Sequence, residues 1–401
     1  MKIGIDIRLI GKKQTGSEAV FFNLVKNLAS IDRTNNYLLF TDMADQKVLK
    51  KIKKDLDIAD KNNFEVVSLT RPSGTLSQRE RGIWKKIFRN KFSWNFWTLP
   101  THLRKNPVDM YLTQYITPFF VPKKIKIATI IHDISFVRYS QFIKFFDLFF
   151  LRTLIPVSLR RADKIIGVSK FTRQEIIDYY RAKPQKVDYI YNAVSEDFLK
   201  ADVSWKKIEA VREKYQLPEK YILYIGTMQP RKNIPILIDA FAKLLSKPAK
   251  LDSIKLVIAG GKGHNYDTGI DAAIKKHGLE KRVLFTGFVD EEDKAAVMSA
   301  AEVFCLPSLY EGFGIPILEA MSAGVAVVSS DIAPHREIAQ EAALFFDPGS
   351  SSELSEKLLE VLNNNKQKAS LARKGKLQAQ KFSWRNTAEK MKKIFESMKQ
   401  K

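Results

Sequence analysis

Cysteine is nearly absent: Cys305 is the one thiol in 401 residues. No disulfide framework can be built from it, and its place in the apolar run Val303–Leu306 marks a small core residue rather than a nucleophile. Such usage fits a reducing cytoplasm. Long apolar segments are also missing. The start, MKIGIDIRLIGKK, has no signal-peptide core. The most apolar stretch, Phe142–Val157, is interrupted by Lys144, Asp147, Arg152 and Pro156 and is not expected to span a bilayer. No spacing of His, Cys and carboxylates matches a zinc site. Gly261-Lys-Gly263 follows a strand-like run, but Tyr266 stands where G-x-G-x-x-G needs its third glycine, which argues against a dinucleotide-dependent oxidoreductase. Asp55-Leu-Asp57 has a D-x-D spacing, yet it closes a lysine-rich run and reads as a charged helix surface. Acidic residues are the last scarcity. Forty-four Asp and Glu against 67 Lys and Arg leave a formal charge of +23, which suits polyanions or anionic surfaces and says nothing about fold.

What is present is a repeated alternation. At this length two domains are expected. Strands are predicted at Lys2–Ile7, Tyr37–Phe40, Phe64–Leu69, Ile125–Ile131, Lys164–Val168 and Val187–Tyr191, with the helical run Val20–Leu28 and other helical patterns between them. The pattern loosens around Asn192–Lys207, so the junction is placed near residue 200. It restarts with strands at Tyr221–Ile225, Lys255–Ala259, Val283–Phe285, Val303–Leu306, Val325–Ser329 and Ala343–Phe346. Helices are predicted at Pro235–Leu245, Glu291–Ala300, Pro316–Ala323 and Ser351–Leu362. Strands alternating with helices make a parallel sheet covered on both faces. The reading is α/β, with two doubly wound domains, 1–200 and 201–382, and a helical lysine-rich tail, 383–401. In such sheets ligands lie beyond the carboxyl ends of the strands.

The densest stretch is SLYEGFGIPILEA, Ser308–Ala320. It runs from a strand through Gly312 and Gly314 into a helix opened by Pro316, a residue favoured at the first helical position. Unpaired N–H groups and the dipole at such a helix start suit a phosphate, while Glu311 and Glu319 can accept hydrogen bonds from sugar hydroxyls. Gly226-Thr-Met-Gln-Pro-Arg-Lys-Asn233 follows another strand. Gly226 lets backbone approach a ligand, and Arg231 and Lys232 supply two cations, one able to grip phosphate with paired donors. Thr15-Gly16-Ser17-Glu18 follows the first strand, and His132-Asp133 follows the strand at Ile125–Ile131.

Glu311 and Glu319, with seven residues between them and GFG inside, closely resemble the E-x7-E signature of the family 4 retaining glycosyltransferases (glycosyl transferases group 1). Gly226–Asn233 resembles that family's G-x-x-x-x-R-K-N loop. The resemblance implies a GT-B fold, two Rossmann-like domains facing each other across a cleft, with the tail helix crossing back onto the first. It implies transfer of a hexose from a GDP- or UDP-linked sugar to an acceptor hydroxyl, with no cofactor and no metal. Arg231 and Lys232 would bind the donor diphosphate, Glu319 the ribose, and Glu311 the transferred sugar. The backbone of Gly312, Phe313, Gly314 and Ile315 would meet sugar or phosphate, and that near Val289 and Ser308 the base. His132 would orient the donor sugar, with Asp133 supporting its loop, and Gly16 would let backbone pass the diphosphate. Thr15 departs from the family's G-G-x-E form of that loop, so helix capping stands beside a site role for Glu18. The wording GTMQPRKN is similar to that of bacterial mannosyltransferases that build surface polysaccharides. A nucleotide-sugar epimerase of the same fold is the runner-up within the family's architecture, and the oxidoreductase the runner-up outside it.

Arg79–Trp97, RERGIWKKIFRNKFSWNFW, interleaves basic and aromatic residues. A helix packing its aromatic side on the first domain is the first reading, and Trp97, Leu99 and Pro100 resemble a family helix there. Contact with an anionic membrane surface is the second, which would place a cytoplasmic protein on the inner face of the cell membrane beside a glycan or lipid-linked acceptor. Nucleic acid comes last and is not expected.

Overall fold

Runs of Ile, Val and Leu with no polar alternation can be satisfied only by burial on both faces, and in the computed structural model they form two wholly parallel sheets. The structure describes residues 1–11, 16–69, 93–143, 145–248, 251, 253–263 and 265–399. Thr15 and most of the basic-aromatic stretch, residues 79–92, lie outside them.

The chain divides into two compact units. The first holds Met1–Ile134, Phe146–Tyr191 and Trp384–Lys401, and the second holds Ser135–Phe145 and Asn192–Ser383. The division falls at Tyr191, nine residues before the position read from sequence, and an eleven-residue segment after His132 belongs with the second unit.

The strands of the first unit are β1 (Lys2–Asp6), β2 (Asn36–Thr41), β3 (Phe64–Ser68), β4 (Met110–Gln114), β5 (Lys126–Ile131), β6 (Lys164–Gly167) and β7 (Val187–Tyr189), in the order β3-β2-β1-β4-β5-β6-β7. Its helices are α1 (Gly16–Ile31), α2 (Gln46–Asp55), α3 (Leu99–Lys105), α4 (Phe145–Arg161) and α5 (Lys170–Tyr180). Helix α1 buries Val20, Phe21, Leu24, Val25 and Leu28, the i, i+4 spacing that puts one stripe on the sheet. A π-helical turn, Trp94–Thr98, leads into α3.

Strand β4 is the element the sequence reading omits. MYLTQ is short, mixes polar with apolar residues and follows Asn106-Pro107, so nothing in its pattern outweighs a loop. It nevertheless pairs with both β1 and β5 at the middle of the sheet.

In the second unit β8 (Tyr221–Ile225), β9 (Lys255–Ala259), β10 (Val283–Gly287), β11 (Val303–Leu306), β12 (Val327–Ser330) and β13 (Ala343–Phe346) lie in the order β10-β9-β8-β11-β12-β13. They alternate with α6 (Trp205–Tyr215), α7 (Ile234–Leu245), α8 (Gly269–His277), α9 (Glu291–Ser299), α10 (Ile315–Ser322), α11 (Ala333–Ala339), α12 (Ser351–Asn363) and α13 (Asn365–Ala379). Helix α7 buries Ile234, Leu237, Ile238, Phe241 and Leu244, each worth about 1.5–3 kcal/mol if fully removed from water. The order reverses between β8 and β11, the switch point where open α/β sheets bind ligands.

The tail forms α14 (Trp384–Lys399), which packs on α1 of the first unit. Thr387 donates to the Tyr191 carbonyl, and Lys392 lies 3.3 Å from the buried Asp32. Among the described residues no helix is long and apolar enough to cross a membrane.

Candidate functional site

The two loops singled out by sequence leave β8 and β11, so both open at the switch point of the second sheet. After β8, Gly226 turns with φ of +158°, and a Cβ there would lie 2.8 Å from the Tyr224 hydroxyl. The chain then makes a 3-10 turn, Pro230–Lys232, and Asn233 in the left-handed region starts α7. That turn aims both cations at the second loop. Arg231 Nη1 donates to Glu311 Oε2 at 3.1 Å and to the Tyr310 carbonyl at 3.1 Å. Lys232 donates to Glu311 Oε1, and Ser308 Oγ donates to the same oxygen at 2.9 Å.

Lys232, Glu311 and Ser308 are all buried. Burial alone would push the Glu311 carboxyl upward, but Lys232 and Arg231 outweigh it and hold the group well below the usual carboxylate range. Glu311 is thus a fixed anion with both oxygens engaged, and the cluster carries one net positive charge. The Ser308 side chain is committed to that carboxylate, so only its backbone is available in the way the resemblance implies.

Gly312 and Phe313 continue to Gly314, which caps α10 with φ of +115°; a Cβ there would stand 3.3 Å from His335 Cδ2. Pro316 follows in the first helical turn, where its missing N–H costs nothing. The Phe313 ring is buried and meets Phe382 edge-on, so the backbone is what this residue can present. Ile315 opens α10, and Glu319 lies one turn further, buried, with Oε1 2.6 Å from Lys294 Nζ. Val289 is buried between β10 and α9.

His335 was not singled out by sequence. It sits on α11, fully buried, with Nδ1 2.7 Å from Ser329 Oγ and 3.2 Å from the Ser330 carbonyl. A carbonyl only accepts, so Nδ1 carries the proton and Nε2 is left as an acceptor. Burial pushes its pKa down to about 4 against the pull of Glu311. The signal was absent because PHRE reads as an ordinary polar helix start.

In the first unit His132 follows β5. Its Nε2 lies 2.9 Å from Oε1 of Gln114, the last residue of β4, so Nε2 is the protonated nitrogen and Nδ1 the acceptor. Burial pushes the imidazole down to about 4 despite neighbouring Asp133. Asp133 donates its N–H to the Tyr115 hydroxyl. Gln114 could not be found from sequence because its strand was not.

Gly16 opens α1, and a Cβ there would meet nothing within 4 Å among the described residues, so no packing against them demands a glycine. Glu18 accepts from the Gly11 N–H at 2.8 Å, tying the start of the loop to the first turn of α1. Of the sequence-predicted residues, Gly226, Arg231, Lys232, Ser308, Glu311–Ile315 and Glu319 thus gather in the second unit around one switch point. Val289 follows the edge strand β10, two places from β8, while His132 and Gly16 belong to the first unit. Among the described residues no three His, Cys, Asp or Glu side chains gather as a metal site requires.

Comparison with known proteins gives the family and the fold. The profile of glycosyl transferases group 1 matches residues 207–378, and that of Glycosyltransferase Family 4 matches residues 58–198. The O-antigen chain mannosyltransferase B of Escherichia coli is 33% identical over 270 residues, which is 67% of this chain and 70% of that protein. The serotype-specific mannosyltransferase WbdA of Escherichia coli is 33% identical over 232 residues, 57% of this chain but 28% of WbdA, a much longer protein. Among solved structures, HepE of Anabaena in complex with UDP and glucose superposes with a TM-score of 0.71 at 19% identity, covering 99% of this chain and 100% of HepE. The fold is therefore GT-B, and the chain belongs to the family 4 (group 1) glycosyltransferases.

Proposed function

We propose that this glycosyltransferase moves a hexose, mannose before others, from a GDP- or UDP-linked donor to a hydroxyl of a glycan or lipid-linked acceptor in surface-polysaccharide or glycolipid synthesis. It does so with retention of anomeric configuration and without metal or cofactor. The observation that carries the reading is the convergence of Arg231 and Lys232 on Glu311 beside the glycine loop at the β8/β11 switch point. Two fixed cations and the α10 N-terminus would stabilise the charge growing on a departing nucleoside diphosphate, the task a metal performs elsewhere. The choice of mannose rests on the relatives being named mannosyltransferases, and the nucleotide-sugar donor on HepE having been solved with UDP and with UDP-glucose.

Retention by double displacement needs a nucleophilic carboxylate. Glu311 is poorly suited, because three donors occupy its oxygens and its basicity is depressed. A front-face reaction fits better. The bond from the anomeric carbon to the diphosphate breaks, the acceptor oxygen bonds to the same face, and its proton passes to the departing phosphate oxygen. The protein supplies position and charge.

Contact with an anionic membrane surface is part of the proposal. Trp97 and Phe120, each 67% exposed, flank Phe96 and Phe119, which stack at 4.3 Å, with Arg104 beside Phe120.

The test is a transfer assay with GDP-mannose, UDP-glucose and UDP-N-acetylgalactosamine on lipid-linked glycan acceptors, with the product anomer read by NMR and EDTA present. Glycoside of the donor's configuration is expected from one donor. An inverted product, or a free isomerised nucleotide-sugar as an epimerase would release, would overturn the reading.

A further inference from the structure

We propose that Lys294 is a positioning residue for donor binding: its ammonium fixes Oε1 of Glu319, so that Oε2 is presented to the ribose hydroxyls of a nucleoside diphosphate. The inference rests on the reading of Glu319 as the ribose holder and adds a residue that this reading does not contain.

Three observations carry it. Lys294, on α9, donates to Glu319 Oε1 at 2.6 Å, and the pair is largely buried, 15% and 8% exposed at the side chains. Oε2 of the same carboxylate is buried and has no hydrogen-bond partner among the described residues. A buried charged oxygen left without a donor is costly, and a vicinal diol supplies the donors that it lacks. Finally, α9 is itself pinned. Asp293, next to Lys294, is buried and receives Lys207 and Lys214 of α6, the latter at 2.6 Å, and the Tyr215 hydroxyl at 2.8 Å. The Lys294 stem therefore starts from a fixed point, and its ammonium reaches Glu319 with Glu291 3.8 Å away on its own helix.

Burial works against the charge on Lys294, yet Glu319 and Glu291 raise its pKa above the ordinary lysine value, so it stays an ammonium at neutral pH. In sequence it closes the acidic run Asp290–Asp293 and reads as a solvated helix face, which is why spacing alone does not find it.

Isothermal titration of the full chain with GDP, UDP and ADP, and with the 2′-deoxy form of whichever binds best, tests the assignment. Four variants are compared: Lys294→Met, Lys294→Arg, Glu319→Gln and the double Lys294→Met/Glu319→Gln. The double variant removes both charges and leaves neither buried alone. Lys294→Met is expected to weaken the ribonucleotide roughly tenfold, the size of one charge-assisted hydrogen bond, and the deoxy form by much less. Lys294→Arg should retain most affinity, and Lys294→Met should add nothing once Glu319 is Gln. If Glu319→Gln weakens binding while Lys294→Met leaves it within twofold, the positioning role is wrong and the ribose reading survives. Equal losses for ribo and deoxy forms, or a further loss on the Glu319→Gln background, likewise overturn it. If no diphosphate binds, or Glu319→Gln changes nothing, the reading of the site falls and this inference with it.

Discussion

The carboxyl ends of the two sheets are built in opposite ways. That of the second sheet is a charged machine: Arg231 and Lys232 against Glu311, and Lys294 against Glu319, all substantially buried. That of the first offers a neutral pair, His132 with Gln114, and a closed ion pair, Asp6 with Arg8 at 2.7 Å, stacked under Trp94. Buried charge is tolerated only when paired, so each of these pairs holds its carboxylate and its cation as fixed charges. A nucleoside diphosphate brings charge and needs countercharge. A sugar or an acceptor hydroxyl brings neutral donors and acceptors and needs hydrogen bonds. The contrast between the ends matches the contrast between the parts of the proposed substrates.

The contrast is broken most severely by removing one cation from the second unit. Lys232→Met leaves Glu311 buried with Arg231 as its remaining countercharge and strips a positive charge from the proposed leaving-group site. Transfer should fall about 10²- to 10³-fold in kcat, with a smaller change in KM. Glu311→Gln in the same chain should recover thermal stability but not rate. A rate loss below tenfold in Lys232→Met would show that the charge serves folding alone.

Acid offers a second way to separate fixed charge from neutral support. His335 ionises in a free chain near 6.5 and in the folded protein only near 4, because burial disfavours the imidazolium. The unfolded state therefore binds the extra proton first. The stability contributed by neutral His335 is complete above pH 6.5 and is lost as pH falls through 6.5 toward 4, by at most about 3 kcal/mol. His335→Asn keeps a donor for the Ser330 carbonyl and cannot titrate in this window. Urea midpoints measured from pH 7.5 to 4 should fall less steeply for this variant than for wild type. Parallel curves would place the acid sensitivity elsewhere.

The same contrast explains what could be read in advance. The second unit was legible nearly strand by strand, because Tyr221–Ile225, Val303–Leu306 and Ala343–Phe346 are unbroken apolar runs closed by residues that break a strand, Gly226, Pro307 and Asp347-Pro348. Side chains that act through another residue were not legible. Lys294 and His335 touch Glu319 or lie beside Gly314 from helices that follow other strands, and no local spacing encodes such a meeting. In the first unit the gap is the strand itself. Since β4 was not among the strands read from sequence, the Gln114 that fixes the His132 tautomer had no place in the reading.

That tautomer gives a smaller test. Gln114→Leu removes the acceptor that holds the proton on Nε2 of His132. If Nδ1 receives a hydrogen bond from a donor hydroxyl, kcat should fall several-fold for Gln114→Leu and roughly tenfold for His132→Ala, about the worth of one neutral hydrogen bond. Gln114→Glu would keep the acceptor and should stay close to wild type near pH 7. If Gln114→Leu and Gln114→Glu behave alike, the tautomer is irrelevant and His132 acts by shape.

The smallest effect belongs to a surface of the first unit away from the charge pairs named above. Trp97 and Phe120 are mostly exposed, so replacing both with Ser should change unfolding free energy by no more than about 0.5 kcal/mol each. Turnover of a short soluble acceptor should stay as it is. Partition onto vesicles with one-third anionic lipid should nevertheless fall about threefold or more, because the aromatic rings would leave the interface while the lysines and arginines stay. Raising the salt then sharpens the comparison. Screening weakens the basic contribution and spares the aromatic one, so both proteins should bind less at higher ionic strength while the ratio of their partition coefficients stays near its low-salt value. If the variant binds vesicles as tightly as wild type at every salt concentration, these aromatics have no membrane role and the acceptor must be met without them.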